Sequence, residues 1–305
     1  MPPSGRGGAD RGGPPRGASG VDPESLTRPS FVPDPGLDRE EMAALQREIA
    51  ATATFADDHA FAPGDVAIDE AFDCSEGLPA ADPGSDPHAA AADAPVVVGV
   101  DQAFRLDDGE AVSAAVAIRD GAVVEYAHAV TPLSIPYVPG LLAFREGGPI
   151  LAALSALSVA PDLLVLDGSG RIHYREAGLA THVGVIHDLP SIGVAKRLLC
   201  GEPDDAVEER PAGWRTPIRA DDSVETVDAA GGGARPAIGH AFQSRQYPNS
   251  RRVNPVYVSP GHRVSAETAV ELVDALCAGY KLPEPTRLAD AYADVVKRGD
   301  APVGR

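Results

Sequence analysis

The chain has 305 residues, enough for one large domain or two small ones, and 44% of them are hydrophobic, which excludes a chain disordered throughout. No run approaches the ~18 apolar residues of a membrane span, no apolar leader opens the sequence, and Cys74, Cys200 and Cys277 are too scattered for a disulfide framework or a zinc site. Forty-five acidic residues against 26 basic ones give a net charge of −19, and only three of the cations are lysine (Lys196, Lys281, Lys297). Scarce lysine beside abundant aspartate favours adaptation to a salt-rich cytoplasm over a chain that merely avoids polyanions. Local clusters, not net charge, must then decide whether nucleic acid is a partner.

In chain order, residues 1–30 are rich in Gly and Pro and almost devoid of large apolar side chains, which predicts a disordered tail. LDREEMAALQREIAATA, residues 37–53, has the apolar spacing of an amphipathic helix with acids early. Residues 56–94 read as a long surface loop. A buried strand is expected over 94–100, ending at Asp101, followed by strands at 111–118 and 122–130 joined through a tight turn at Asp120-Gly121. Then come a helix over 140–157, a strand at 163–166 ending at Asp167, a helix over 177–187 and a short strand at 191–194. Residues 203–236 read as a polar surface excursion, strands follow at 237–242 and 255–258, and helices over 266–278 and 285–297 close the chain. The order predicts an α/β fold, an antiparallel meander extended by parallel strands, as a single domain over 31–300.

Asp101 and Asp167 each follow an apolar strand, where loops diverge and ligands bind in α/β sheets. Singly, each can be a turn or cap residue. As neighbours on parallel strands their carboxylates converge and call for a cation, and an all-oxygen set suits Mg²⁺ or Mn²⁺. Glu146 adds a carboxylate near a helix start, where helix N-terminal charge is the alternative. Tyr137, before Val138-Pro139, can stack on a base or simply pack on proline. In DGSGRIHYREAG, residues 167–178, Gly168 and Gly170 permit close backbone approach, and Arg171, His173 and Arg175 add donors, or the stretch is only a polar turn. Lys196 follows a buried strand in a chain that otherwise uses arginine, which points to a compact charge, an exposed helix start being the plainer reading. Arg145, Arg171, Arg175 and Arg197 would add short-range positive charge.

Six stretches together resemble the endonuclease V family: VVVGVDQAF (96–104), PYVPGLLAFREGG (136–148), PDLLVLDGSGRIHYREAGLATHVGV (161–185), SIGVAKRLLCG (191–201), NPVYVSPGHRVS (254–265) and LPEPTRLADAY (282–292). They occur in order over roughly residues 37–298. The resemblance implies a ribonuclease H-like mixed sheet, with Asp101 and Asp167 as Mg²⁺ ligands (Mn²⁺ can substitute) and Glu146 and Asp290 completing an acidic cluster. His173 and Lys196 would assist catalysis, and Tyr137 would wedge at the damaged nucleotide. It implies a monomeric, cytoplasmic repair enzyme with no membrane partner. Its target would be deoxyinosine in DNA, cut at the second phosphodiester bond on the 3′ side to leave 3′-hydroxyl and 5′-phosphate ends. The tail, the 56–94 loop and the 203–236 segment depart from the pattern, and Ser169 stands where members often carry histidine. Three alternatives stay open: an inosine-specific endoribonuclease, a catalytically silent nucleic-acid-binding module on the same fold, and an acidic protein adaptor.

Overall fold

The structure is a computed structural model, describing all residues except 1–15, 19–20, 22–25, 82–93, 134, 137, 226–234 and 300–305. Its centre is one mixed sheet of ten strands: β1 (Arg16–Ala18), β2 (Val97–Arg105), β3 (Glu110–Arg119), β4 (Ala122–Pro132), β5 (Leu163–Asp167), β6 (Ser191–Ala195), β7 (Glu202–Pro203), β8 (Arg215–Arg219), β9 (Ala237–Phe242) and β10 (Val256–His262). Their order across the sheet is β1-β4-β3-β2-β5-β6-β10-β9-β8-β7. β2, β5 and β6 run parallel at the centre, β2-β3-β4 form the antiparallel meander, and β10, β9, β8 and β7 continue antiparallel on the other side. The meander turn carries positive φ at both Asp120 and Gly121, the mirror-image turn whose twist matches its strands.

Helices cover both faces. On one face α2 (Leu142–Ser155) and α3 (Leu179–His187) bury Ile150, Leu151, Val183 and Ile186 against Val98, Val100, Leu164 and Leu166. On the other, α4 (Ala266–Ala275) and α5 (Glu284–Arg298) bury Val270, Leu272, Leu288 and Tyr292 against Val97, Val116, Val165 and Val258. The alternation of side chains along a strand supplies both layers from one run, so β2 reads as uninterrupted apolar sequence. α1 (Arg39–Thr52) lies outside α3, with Ile49 and Ala50 packed on Ala177 and Val185. Asp38 caps it by accepting from the Glu40 and Glu41 backbone N–H groups, and the Glu41 side chain accepts in return from the Asp38 N–H.

Three expectations need correction. Residues 26–30 do not belong to a disordered tail: the Arg28 N–H donates to the Ile186 carbonyl, Pro29–Phe31 form a 3₁₀ turn, and Arg16–Ala18 pair with β4. Most of the rest of 1–30 lies outside the described residues. The 56–94 segment is not wholly surface, because Val66, Ile68 and Leu78 enter the core beneath α4 and α5. The 203–236 segment contributes β7 and β8 to the sheet edge, where Pro217 is tolerated. Among the described residues no helix is long and apolar enough to cross a membrane.

Candidate active site

β2 and β5 pair in parallel up to Val100 and Leu166, so Asp101 and Asp167 follow on adjacent strands at the same level. Asp101 does not end its strand, as the sequence suggested. β2 continues along β3 to Arg105, and Asp101 sits where its parallel partner stops. Lys196, one residue past β6, donates from Nζ to Asp167 Oδ2 at 2.8 Å. α5 lies directly on β2: a Cβ on Gly99 would stand 2.0 Å from the Pro285 carbonyl oxygen, so only glycine admits the helix there. That approach brings Asp290, on the exposed side of α5, within electrostatic reach of Asp101 and Lys196. Glu146 arrives from the first half of α2, where Gln102 Nε2 donates to its carbonyl at 3.2 Å and to Ser113 Oγ at 2.6 Å.

The electrostatics are unbalanced. Asp101 is only 9% exposed. Burial pushes its carboxyl up to about 9, with the charges of Asp167 and then Asp290 adding to the effect against the Gln102 N–H bond and Lys196. Burial likewise lifts Glu146 to about 7, Asp167 adding and Arg145 opposing. Burial works against the Lys196 ammonium, but the Asp167 bond and the surrounding carboxylates outweigh it and raise its pKa. Among the described residues no three His, Cys, Asp or Glu side chains cage an ion by themselves. A pair of carboxylates with open positions still fits a hard cation that keeps waters and takes oxygens from a phosphate. The donor chemistry therefore fits Mg²⁺ or Mn²⁺ at Asp101 and Asp167.

Asp101, Glu146, Asp167 and Lys196 line a cavity of about 550 Å³, together with Pro139, Gly140, Gly168, Ser169, His173 and Gly178. One hydrogen-bond hub frames it. The Gly140 carbonyl accepts from His173 Nε2 at 3.1 Å and from Gln46 Nε2 at 2.9 Å, and Gly140 itself has φ +78. His173 Nδ1 accepts from the Arg175 backbone N–H, which fixes the tautomer with the proton on Nε2. Burial pulls its pKa down to about 4, so the ring is neutral and both nitrogens are occupied. The geometry brings His173 to the cavity wall as a brace rather than as a free proton carrier.

Arg171 and Arg175 are not the loose cations the sequence suggested. Arg171 pairs with the buried Glu176 at 2.7 Å and covers the Phe55 ring; Arg175 reaches Gln46 Oε1 and Glu225. Arg145 lies over the Phe104 ring, and Arg197 lines the cavity. Gly170 does allow close approach, but to the sheet itself, its Cβ position being 2.3 Å from the Pro260 carbonyl oxygen. The Tyr137 wedge lies outside the described residues. Sequence reading missed Gln46, although its signal was present: it is a polar residue, fully buried, on the helix stripe shared with Met42, Ala43, Ile49 and Ala50.

The family model for Endonuclease V matches residues 85–291. Endonuclease V of Halobacterium salinarum is 60% identical over 271 residues, covering 88% of this chain and 98% of its own. The crystal structure of Endonuclease V from Streptomyces avermitilis is 32% identical with a TM-score of 0.63, covering 86% of this chain and 94% of its own. Ciona intestinalis Endonuclease V, solved with a 24mer DNA containing an inosine followed by a ribo-adenosine, shares the fold at 23% identity and a TM-score of 0.60, over 85% of this chain and 97% of its own.

Proposed function

The chain belongs to the endonuclease V family, and from that premise we propose that it is a metal-dependent endodeoxyribonuclease directed at deoxyinosine. It hydrolyses the second phosphodiester bond on the 3′ side of the lesion and leaves 3′-hydroxyl and 5′-phosphate ends. The observation that carries this reading is the pair Asp101 and Asp167, joined by Lys196, lining a cavity large enough for a base. Mg²⁺ held by Asp101 and Asp167, with Mn²⁺ able to substitute, would polarise the scissile phosphate and lower the pKa of the attacking water.

The chain's own residues supply the rest. Lys196, its charge secured by Asp167, lies beside the place where negative charge grows on the phosphate. Glu146, with a carboxyl near neutrality, is poised to exchange a proton with water, and Asp290 adds negative charge that draws a cation inward. The lesion base, whose pairing is already weak, leaves the stack for the cavity, with Tyr137 as the wedge at the damaged nucleotide. His173 and Gln46 hold the Gly140 carbonyl, and so the rim of that cavity, in one place.

The test offers matched strands carrying deoxyinosine, riboinosine or adenine with Mg²⁺ across a salt series, and maps any cut. Cleavage directly 3′ of the nucleotide that follows deoxyinosine is expected. Cleavage of the riboinosine strand alone transfers the activity to RNA, and equal inertness on all strands overturns the nuclease reading.

A further inference from the structure

Beyond the cavity, the same edge of the sheet carries a surface of opposite character. Residues 243–254 and 276–283 contain no Asp or Glu, in a chain with 45 of them, yet hold Arg245, Arg251, Arg252 and Lys281. Among the described residues no carboxylate pairs with any of these four. Tyr247 and Tyr280 are 51% and 44% exposed, and of the described large apolar side chains only Leu106 is comparably bare. Rings and guanidinium groups alternate: Arg287 lies 4.4 Å from the Tyr280 ring centre, and Arg245 lies 5.9 Å from Tyr280 and 5.2 Å from Tyr247.

The surface is braced from beneath. Gln243, fully buried, donates to the carbonyls of Arg245 and Val253, and Gln246 bonds Val253 from both ends of its amide. Ser244 Oγ ties this loop to the Lys281 carbonyl at 2.7 Å. Its position follows from strand register. Phe242 pairs with Val256 and Tyr257 with Ala195, so the loop leaves the sheet beside Lys196. Burial and then the Lys196 charge hold the Lys281 ammonium below its usual range, so the two lysines lie within electrostatic reach of each other. None of these loop residues lines the cavity, so the surface adjoins the carboxylates at Lys196 from outside it.

We propose that Arg245, Tyr247, Tyr280 and Lys281 form a stacking platform for single-stranded nucleic acid, holding the nucleotides on the 3′ side of the cut. The direction rests on the family reading: with the lesion base in the cavity and the cut on its 3′ side, the strand beyond the carboxylates is the 3′ segment. Exposed rings stack on any base, while the interleaved cations meet phosphates. The combination suits a chain with a salt-adapted composition, since near 1 M salt the screening length falls to about 3 Å and charge contacts weaken while stacking persists.

The test measures anisotropy of a labelled, lesion-free oligothymidylate of about ten nucleotides, with chelator, so that neither lesion recognition nor cleavage intervenes. Tyr247→Ala/Tyr280→Ala should weaken binding about tenfold or more, and Tyr247→Phe/Tyr280→Phe should stay within about twofold of the unsubstituted protein. A second arm uses deoxyinosine strands extended on one side only. The alanine pair should lose affinity for the 3′-extended strand and match the unsubstituted protein on the 5′-extended one. Unchanged oligothymidylate affinity at an unchanged melting temperature overturns the platform, and a loss confined to the 5′ extension overturns its direction. A protein blind to inosine whose alanine pair still loses oligothymidylate overturns the lesion reading and leaves the platform standing.

Discussion

The carboxylate cluster and the Gly140 hub border one cavity and differ in how fully their polar groups are answered. Around Gly140 nearly every donor has an acceptor: Gln46 and His173 share its carbonyl, Arg175 joins Gln46 to Glu225, and Arg47 closes on Glu225 at 2.7 Å. Around Asp101 the balance is unmet, because Asp101, Asp167 and Asp290 share Lys196, which pairs with Asp167, while Glu146 is opposed only by Arg145. A satisfied network rigidifies, whereas clustered like charge stores free energy that an incoming ligand can release. The hub is therefore frame and the cluster is receptor. Substitutions should separate the two.

The largest effect is expected at the receptor. Asp101→Ala or Asp167→Ala should lower single-turnover cleavage about a hundredfold or more, on the scale of losing a principal source of transition-state stabilisation. Lesion binding should hold or improve, since one carboxylate fewer repels the phosphate. Either variant keeping near-original turnover would remove that residue from the metal site.

The stored charge should also show in stability. Between about pH 6.5 and 9 the native Asp101 keeps a proton that the unfolded chain, with an aspartate pKa near 4, has already lost. The native state then binds more protons, so metal-free stability falls as pH rises through this window, with Glu146 contributing up to about 7. His173, His182 and His187, each held near 4 by burial, act oppositely and only below about 6.5, where the unfolded chain takes up protons they refuse. Melting temperatures without metal should decline from pH 6.5 to 9, and Mg²⁺ should restore most at the alkaline end because its ligands must be deprotonated. Asp101→Asn should flatten the decline. A flat profile in the unsubstituted protein would contradict the stored-charge account.

The receptor was more legible in the sequence than the frame. Asp101 and Asp167 each follow an apolar run, VVVGV and LLVL, whose burial on both faces marks central parallel strands. What lay beyond Asp101 was hidden, because QAFR is half-buried and loses the apolar signal while the backbone still pairs with β3. β7 and β8 were hidden for a related reason: edge strands are short, and RTPIR buries only Thr216 and Ile218. Val66, Ile68 and Leu78 are single anchors among Asp, Pro and Gly, too sparse for any periodicity. Gln46 announced itself by breaking an apolar stripe, but its partner stands 94 residues away, and no local pattern encodes such a pairing.

The frame should yield to Gln46→Ala. Its amide joins the Gly140 carbonyl to Arg175, so removal leaves buried polar groups short of partners, a cost of about 1–3 kcal/mol. If the hub positions the cavity rim, inosine-over-adenine discrimination should fall more than the single-turnover rate on saturated substrate. Gln46→Met, which fills similar space without the amide, should reproduce that loss with a smaller packing defect. Unequal melting temperatures with equal discrimination would reduce Gln46 to a packing role.

Salt should tell the same two regions apart by a smaller, severalfold effect. At net charge −19 the molecule as a whole repels a phosphate chain, and long-range attraction for it is weak. A nuclease that binds by phosphate contacts loses affinity steeply with salt, with a log–log slope near −0.9 per contact on duplex DNA. Here Arg171 and Arg175 are already consumed in internal pairs, so fewer such contacts remain to be lost. Screening of the acidic surface works in the other direction, relieving repulsion toward DNA and among the carboxylates themselves. Activity should accordingly rise with KCl into the molar range, and a circular dichroism titration should show structure gained along the same axis. The hub, held by short hydrogen bonds, should be indifferent, so Gln46→Ala should lower discrimination by the same factor at every salt concentration. Asp101→Asn should instead blunt the gain in stability, because part of what salt screens is then gone. A folded enzyme fastest at low salt and declining steadily above it would place the acidic surface away from the DNA and leave ordinary phosphate contacts in control.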